Sequence, residues 1–589
     1  MNAAKLSAAD RTLSTLILLS IIILFAAAVR FWGIDFGLPQ LLCRPDESRL
    51  VNLAVKFGGG DLNPHMFNYP TLYPYVLFVL YAVYYLFGLA TGKFSSVDDF
   101  VLEFAIDPSA FYLLDRVVVA VLGTATVYVV YRIALRMLDR STALVSSVFM
   151  ALAYLHVRDS HFGVTDVPMT FLIMCSCLWL IRSAQDRSVK SYLLAGLLAG
   201  LATSVKYAGL MLAIPMMAAH LSAESIKDKG WLTGLIDRRP LVFMAAMLIA
   251  FLIGTPYALL DHTQFLKDFT FEMRHLDYGH RHIILDRGWW HHLHFTLWHG
   301  LGWPLLATSI AGMIVMVRRA PRTAILFLSF PLVYYFVAGK GYAVFARYMI
   351  PVVPFLCIAA AFCVMRISGW IASRWGGRAG RVAVPLLVAL TLAPSLRAVV
   401  AFNTLITEVD SRIIAAEWVR SKIPRGSSIY HGGSLGSRLQ INPGQFFIDK
   451  YTQHAAMIDG GLSNQGEGSR LRRMVDSLKD RRHYDEWLLE KETSQFIRGD
   501  TVCQGLPEYI ITEESPLRDY SRTDAYVQQL IETRYRLVKR FNAVDVSGPA
   551  DQYDQQDLLY VPFAGFAGVE RPGPNLNIYK LIADKGRVP

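Results

Sequence analysis

The stretch SYLLAGLLAGLATSVKYAGLMLAIPMMAAHLS, residues 191–222, decides how this chain folds. Its one charged side chain is Lys206, and the segment would extend about 48 Å as a single helix. A transmembrane helix needs only roughly 20 apolar residues, and basic residues flank this segment on both sides. Because basic loops stay on the cytoplasmic side, we predict that the segment crosses the membrane twice, with Lys206 at the outer turn of a helical hairpin.

The composition of the whole chain agrees with a membrane protein. Of its 589 residues, 53% are hydrophobic and 18% are charged, compared with about a quarter charged in soluble domains. The net charge of +11 comes from Arg and Lys concentrated in short loops between apolar segments. That placement is typical of membrane orientation and not of a nucleic-acid-binding face, so we expect no nucleic-acid partner.

Apolar segments of spanning length predict eleven transmembrane helices. Every second loop between them is basic, which predicts a cytoplasmic N-terminus and an external C-terminus. The first segment lacks a small-residue cleavage site, so we interpret it as an uncleaved anchor. The predicted spans are residues 13–32, 112–135, 141–157, 165–181, 191–205, 207–222, 241–260, 293–316, 323–339, 347–366 and 382–401.

One further apolar segment, residues 71–90, does not fit this alternation of loops. If it crossed the membrane once, every later basic loop would face outward, against the usual charge rule. We therefore expect residues 71–90 to be re-entrant or to lie along the membrane. Their many tyrosines suit the interface between lipid and water.

The C-terminal residues 402–589 are polar and predict an external α/β domain that follows a transmembrane domain of residues 1–401. Residues 411–422 have the spacing of an amphipathic helix, and Pro424 follows them. Two strands are predicted at residues 508–512 and 575–582, and a second helix at residues 524–534. Cys43 and Cys503 both fall in predicted external segments. They could form a disulfide, but we favour the interpretation that both thiols are free.

Charged and polar side chains collect at the predicted outer ends of the helices. Ionisable groups at membrane depth are costly and mark functional sites. Because they lie at outer ends and not in the middle of the membrane, they favour an external active-site cavity over an ion channel. The set comprises Asp46 and Glu47 after the first span, Arg158, Asp159, His161 and Asp166 between the third and fourth, Lys206 at the hairpin turn, and Tyr342, Arg347 and Tyr348 at the mouth of the tenth.

The order of these motifs resembles the GT-C superfamily of membrane glycosyltransferases, in the branch of glycosyltransferase family 39, the protein O-mannosyltransferases and the aminoarabinose transferases. The resemblance covers nearly all of residues 1–401 and implies an all-α, GT-C-like catalytic domain. The motifs that carry it are Pro45-Asp46-Glu47, Asn68-Tyr69-Pro70-Thr71-Leu72-Tyr73, Asp159-Ser160-His161, Thr165-Asp166-Val167-Pro168, Ser204-Val205-Lys206-Tyr207, Gly254-Thr255-Pro256-Tyr257 and Arg347-Tyr348-Met349-Ile350-Pro351.

The resemblance implies an inverting enzyme in the cell inner membrane that moves a monosaccharide from a polyprenyl-phosphate donor to a protein, lipid or glycan acceptor on the outer face. Asp46 matches the catalytic base of the family. Glu47 and Asp166 are further carboxylates, which could orient Asp46, bind the sugar or hold a divalent ion. Lys206, Arg347 and Arg158 are cations suited to the donor phosphate, and Asp159, His161, Tyr69, Tyr348 and Tyr342 are predicted to line the substrate cavity.

Two points limit what the resemblance carries over. The aminoarabinose transferases have a lysine where this chain has Tyr69, so the donor sugar cannot be inferred and phosphate binding depends more on Lys206 and Arg347. No cofactor is certain, and a divalent ion (Mg²⁺ or Mn²⁺) with Asp46 and Asp166 as candidate ligands stays open.

Simpler roles and other functions compete with this hypothesis. Asp166 could be the N-cap of the fourth span, Lys206 a lysine that extends to the interface, and Arg158 with Asp159 a structural pair. The alternative functions are an oligosaccharide transferase with a polyprenyl-pyrophosphate donor, and a membrane transporter or lipid flippase. Inverted repeats and broken mid-membrane helices would favour transport, and the sequence shows neither.

Overall fold

The chain forms two compact units, each built from several segments of the sequence. The computed structural model describes residues 2–222, 237–280, 283–444, 478, 482–490, 492–499, 501–547 and 552–582. The membrane unit comprises Met1–Ile34, Leu50–Val79 and Asp115–Asn403. The tail unit comprises Asp35–Arg49, Leu80–Leu114 and Thr404–Pro589, so it includes the loop that carries Asp46.

Helices account for nearly all of the described residues before 402. In chain order they are α1 (Asn2–Phe31), α2 (Pro45–Lys56), α3 (Leu72–Ala90), α4 (Val97–Ile106), α5 (Ser109–Met137), α6 (Arg140–Leu152), α7 (Tyr154–Asp159), α8 (Asp166–Asp186), α9 (Val189–Val205), α10 (Ala213–Leu221), α11 (Arg238–Gly254), α12 (Tyr257–Leu260), α13 (His262–Tyr278), α14 (Gly288–His291), α15 (Trp298–Leu301), α16 (Trp303–Arg319), α17 (Pro321–Ala338), α18 (Val353–Trp375) and α19 (Gly377–Ile406). Short 3₁₀ helices occur at Leu41–Cys43, Phe57–Gly59, Tyr207–Leu212, Ala346–Val352 and Leu435–Ser437, and a π-helix at His292–Leu297.

The protein is a multi-pass membrane protein. Within the described ranges, seven helices are long and apolar enough to cross a membrane, or eight if one bent pair counts as a span. Each of the eleven predicted spans coincides with a helix or with neighbouring helices, several of them shorter than a full span. The predicted polytopic helical domain followed by a C-terminal α/β region is thereby confirmed.

Two predicted segments differ in shape from the expectation. Residues 71–90 are not re-entrant, because α3 is one continuous helix of 19 residues; its orientation in the membrane stays a prediction. Residues 293–316 do not form one straight helix, because the chain bends by 113° between α15 and α16. Gly302 stands at that bend with a φ of 78°, a conformation that glycine adopts without strain.

Close helix contact fixes the position of α9, which ends just before Lys206. A Cβ atom on Gly196 would collide with the backbone oxygen of Phe243 on α11, and one on Gly200 with that of Met247. These two glycines, spaced four residues apart, lie on one face of α9 and let the backbones of the two helices touch. The glycine-rich stretch therefore holds the end of α9 firmly against its neighbour.

The tail unit contains a seven-stranded mixed sheet in the order β4-β3-β2-β1-β5-β7-β6. The strands are β1 (Ser428–His431), β2 (Asp485–Glu490), β3 (Gln495–Arg498), β4 (Thr501–Val502), β5 (Tyr509–Glu514), β6 (Tyr535–Phe541) and β7 (Asn575–Leu581). β1 runs parallel to β2 and β5, and the other pairs are antiparallel.

Two helices cover the opposite faces of this sheet, α20 (Ser411–Lys422) and α21 (Ala525–Arg534). Successive side chains of a strand point to opposite faces of the sheet, so each face has its own hydrophobic core. In β5, Ile511 packs in the core with α20 and Ile510 in the core with α21. Asp410 is the N-cap of α20, and its side chain accepts a hydrogen bond from the backbone N–H of Arg412; the helix ends before Pro424. The predicted elements of the tail are therefore present within one or two residues of their expected bounds.

Cysteine accessibility tests the predicted orientation of the membrane. In a Cys503→Ser background, we expect Arg136→Cys to react with a membrane-impermeant maleimide only after the cells are permeabilised, because Arg136 belongs to a predicted cytoplasmic loop. Lys340→Cys, at an exposed position predicted to be external, is the control and reacts in intact cells. Labelling of Arg136→Cys in intact cells would contradict the orientation.

Candidate functional site

One carboxylate in the membrane unit lies between two cations. Lys206 Nζ is 2.6 Å from Asp166 Oδ1, and Arg347 Nε is 3.9 Å from Asp166 Oδ2. The Asp166 side chain is only 2% exposed, whereas that of Lys206 is 21% exposed. The carboxylate is thus buried and neutralised, while the ammonium group of Lys206 reaches the surface of the cluster.

The sequence suggested that Asp166 could be the N-cap of this helix. In the structure Asp166 is the first residue of α8, and Thr165 is the N-cap. The helix therefore begins one residue earlier than the N-cap prediction required, and the backbone N–H of Met169 donates to the carbonyl of Thr165. In the first turn, the exposed backbone N–H groups and the helix dipole favour a negative side chain.

Lys206 lies at the break that the hairpin prediction required. α9 ends at Val205, Lys206 has extended backbone angles, and the 3₁₀ helix Tyr207–Leu212 follows. The backbone N–H of Gly209 donates to the carbonyl of Lys206 and closes the turn. A Cβ on Gly209 would collide with the backbone N of Thr203, so only glycine allows this tight return.

Aromatic rings hold the two cations in place. The Lys206 ammonium lies 4.9 Å from the ring centre of Tyr348, and the Arg347 guanidinium lies 4.0 Å from that of Phe345. Arg347 and Tyr348 belong to the 3₁₀ helix Ala346–Val352, which precedes α18. Stacking on aromatic faces reduces the freedom of long cationic side chains and adds about 0.5–2 kcal/mol to each interaction.

The other predicted residues of the interhelical segment make different contacts. Arg158 and Asp159 form a buried ion pair of 2.9 Å, as the structural alternative expected. His161 is fully buried, with its ring nitrogens 2.9 Å from the carbonyl of Val157 and 3.1 Å from that of Trp32. These contacts fix α7 and its following turn in the membrane unit.

Two of the predicted cavity tyrosines have contacts of the α13 segment beside them. Tyr69 is half-buried beside Asn68, whose side chain bonds Glu272 of α13 at 2.6 Å. The backbone N–H of Tyr342 donates to the carbonyl of Leu276 at the end of α13, and the Arg287 guanidinium lies 5.9 Å from the Tyr342 ring. Both tyrosines therefore adjoin the segment around α13.

Asp46 and Glu47 belong to the tail unit, at the start of α2. Both lie in the first helical turn, where the backbone favours negative charge. The Asp46 side chain is 25% exposed and its Oδ2 is 3.9 Å from Arg44 Nη2. Glu47 is fully buried. Of the two carboxylates, Asp46 is the one that a substrate can reach.

Neither carboxylate cluster fits a divalent cation. In the part of the chain that the structure describes, no three His, Cys, Asp or Glu side chains lie close enough to hold a metal ion. Both oxygens of Asp166 face cations, and Mg²⁺ and Mn²⁺ prefer several oxygen ligands. The geometry therefore assigns Asp166 to ion pairing.

Sequence reasoning missed the partners that the tail provides. Arg44 pairs with Asp557, and Cys43 contacts Asp410 and Arg412. The sequence contained a weak signal for the first pair, because an arginine beside two carboxylates must be balanced when it is buried. No pattern in the sequence indicates which residue of the tail balances it.

A protein-family model matches residues 115–259, about a quarter of the chain, and its description is dolichyl-phosphate-mannose-protein mannosyltransferase. The matched range includes Asp166 and Lys206. The match confirms the resemblance to GT-C membrane glycosyltransferases related to the protein O-mannosyltransferases. A search among curated proteins found no match.

Solved structures show a distant likeness of fold. ArnT from Cupriavidus metallidurans, bound to undecaprenyl phosphate, has 16% identity and a TM-score of 0.48 over 71% of this chain and 82% of that one. The oligosaccharyltransferase AglB from Archaeoglobus fulgidus, with an inhibitory peptide and a dolichol-phosphate, has 10% identity and a TM-score of 0.46 over 97% and 89%. The mycobacterial arabinofuranosyltransferase AftD has 14% identity and a TM-score of 0.34 over 81% and 36%.

A double-mutant cycle tests whether Asp166 and Lys206 interact as the geometry indicates. We expect Lys206→Met and Asp166→Asn each to destabilise the purified protein, because each leaves a partner unbalanced in a largely buried site. The double variant should lose less stability than the sum of the losses in the two single variants. We expect a coupling energy of about 1–3 kcal/mol, measured by thermal or chemical unfolding. Additive losses would contradict a direct pair.

Proposed function

We propose that this chain is a membrane glycosyltransferase that moves a monosaccharide from a polyprenyl-phosphate donor to an acceptor on the outer face of the cell inner membrane. The observation that carries the proposal is the cluster of Asp166, Lys206 and Arg347. It places two cations on one carboxylate, at the ends of membrane helices. The family match over the segment that contains Asp166 and Lys206 supports the same chemistry.

The charge of the cluster suits the phosphate of the donor. One carboxylate and two cations leave a net charge of one positive unit, in a setting where water screens charge poorly. Lys206 has three N–H donors, and its partial exposure allows it to meet a phosphate oxygen while it still contacts Asp166. A phosphate held there gains stabilisation as it leaves with its negative charge.

Asp46 is the proposed general base. Its carboxylate accepts the proton of the acceptor hydroxyl while the acceptor oxygen bonds the anomeric carbon. The bond from that carbon to the phosphate oxygen breaks in the same step, which inverts the configuration and releases polyprenyl phosphate. The assignment follows the family motif Pro45-Asp46-Glu47 and agrees with the exposure of Asp46 beside the buried Glu47.

The description of the matching family supports a lipid-phosphate monosaccharide as donor. Protein, lipid and glycan acceptors all offer the hydroxyl or amine that this chemistry needs. Mass spectrometry of surface proteins, lipids and glycans from cells with and without the chain identifies the product. We expect the loss of a single sugar residue from one class of acceptor, and unchanged surface glycosylation would contradict the proposal.

Substitution of the base tests the role of Asp46. We expect Asp46→Asn to lower the rate of product formation by about 10²–10⁴-fold, because the amide cannot accept the proton. Binding of polyprenyl phosphate should remain close to wild type. Asp35→Asn, an exposed residue of the same loop, is the matched control and retains activity. Wild-type turnover of Asp46→Asn would remove Asp46 from this role.

Substitution of the cation tests the role of Lys206. We expect Lys206→Ala to weaken the binding of polyprenyl phosphate by roughly 10- to 100-fold, the usual effect of losing a hydrogen bond between charged groups. Lys340→Ala removes an exposed lysine that pairs with Asp277 and serves as the control. Equal affinities of the two variants, measured with the purified protein in nanodiscs, would leave Lys206 with a purely structural role.

A further inference from the structure

The loop Asp35–Arg49, which carries Asp46 near its end, belongs to the tail unit. It contains only a single turn of 3₁₀ helix, Leu41–Cys43, before α2 begins at Pro45. Yet Leu41, Cys43 and Arg44 are buried. A short irregular segment does not hold a fixed geometry by itself, so its contacts with the rest of the tail unit help to determine where the first turn of α2, and with it Asp46, lies.

The first of these contacts surrounds Cys43. Arg412 binds both oxygens of Asp410, through Nε at 2.8 Å and Nη2 at 2.6 Å. The same Nη2 is 3.0 Å from Cys43 Sγ, and Cys43 Sγ is 3.5 Å from Asp410 Oδ2. Arg412 Nη1 also donates to the carbonyl of Gly436 at 2.5 Å. A fully buried, bidentate ion pair at the start of α20 thus encloses the thiol of Cys43.

A second contact involves Arg44, whose side chain is completely buried. Its Nη1 bonds Asp557 Oδ1, and its Nη2 is 3.9 Å from Asp46 Oδ2. Asp557 is 513 residues further along the chain. A third contact ties the beginning of the same turn, because Gln40 Nε2 donates to the carbonyl of Arg438 at 2.9 Å. The loop is therefore held at three neighbouring points.

Arg44 contacts the carboxylates of both Asp557 and Asp46, so the three groups alternate in charge. A buried guanidinium is strongly stabilised by a carboxylate in direct contact, so the ion pair with Asp557 helps to hold the Arg44 head group in place. Arg44 and Asp46 are separated by one residue, a proline whose ring fixes φ. Moving Arg44 would therefore also move the carboxylate of Asp46.

We propose that Asp557 is a positioning residue for Asp46, acting through Arg44, and that the C-terminal domain is for this reason required for the transfer step itself. This inference rests on the proposed function of Asp46. It makes the tail a structural part of the catalytic apparatus, in addition to any contact that it makes with an acceptor.

Kinetics of the full-length enzyme test the proposal. We expect Asp557→Asn to lower the rate at saturating donor by about 10²-fold, the cost of a catalytic group displaced by an ångström, with the KM for the donor within about twofold of wild type. Asp557→Glu retains the charge and should recover part of the rate. Asp524→Ala is the control, because it removes the N-cap of α21 in the same unit without touching the loop. A wild-type rate in Asp557→Asn, or a loss in Asp524→Ala as large as in Asp557→Asn, would overturn the proposal.

The reactivity of Cys43 gives an independent readout that needs no substrate. Both proteins compared carry Cys503→Ser. With Asp557 intact, maleimide should label Cys43 slowly, because its thiol is fully buried; with Asp557→Asn added, labelling should be faster. Peptide mass spectrometry locates the label. Equal labelling rates would show that Asp557 does not hold the loop and would overturn the proposal. Faster labelling supports the proposal. The labelling result does not depend on the Asp46→Asn test, in which wild-type turnover would refute the assignment of the base.

Discussion

The ion pair between Asp166 and Lys206 is the constraint on which the arrangement of the membrane unit depends. A carboxylate that is 2% exposed at the end of a membrane helix cannot remain ionised without a cation in direct contact. Lys206 supplies that cation from the break after α9, and Arg347 supplies a second one from the segment before α18. Three separate helix ends must therefore meet at one place, and the glycines that let α9 touch α11 serve this requirement.

Local patterns in the sequence predicted much of this architecture. Apolar length and the alternation of basic loops located the helices, and the double crossing of residues 191–222 placed Lys206 at the break where the structure has it. Helical spacing and the flanking Asp410 and Pro424 predicted α20, because capping and termination depend on neighbouring residues. The bend at Gly302 was missed although Gly300 and Pro304 lie close to it, since glycines in an apolar segment are compatible with a straight helix as well.

Contacts between distant parts of the chain could not be predicted in this way. The pair of Arg44 and Asp557 joins residues at opposite ends of the sequence, and no periodic pattern relates them. The sequence also left open whether Arg158 binds phosphate or pairs with Asp159, because both depend on where one side chain points. The structure shows the pair. Residue type and spacing thus identify the charged groups, while their partners are set by tertiary packing.

The two charged clusters have opposite net charge, and the difference matches two distinct chemical tasks. Asp166 with Lys206 and Arg347 sums to one positive charge, which in the proposed function attracts the donor phosphate and stabilises it as a leaving group. Asp46 with Arg44 and Asp557 sums to one negative charge. In the proposed enzyme, the buried carboxylate of Asp557 holds the guanidinium of Arg44 and, through it, the carboxylate of Asp46, so a buried ion pair in the C-terminal domain serves the transfer step.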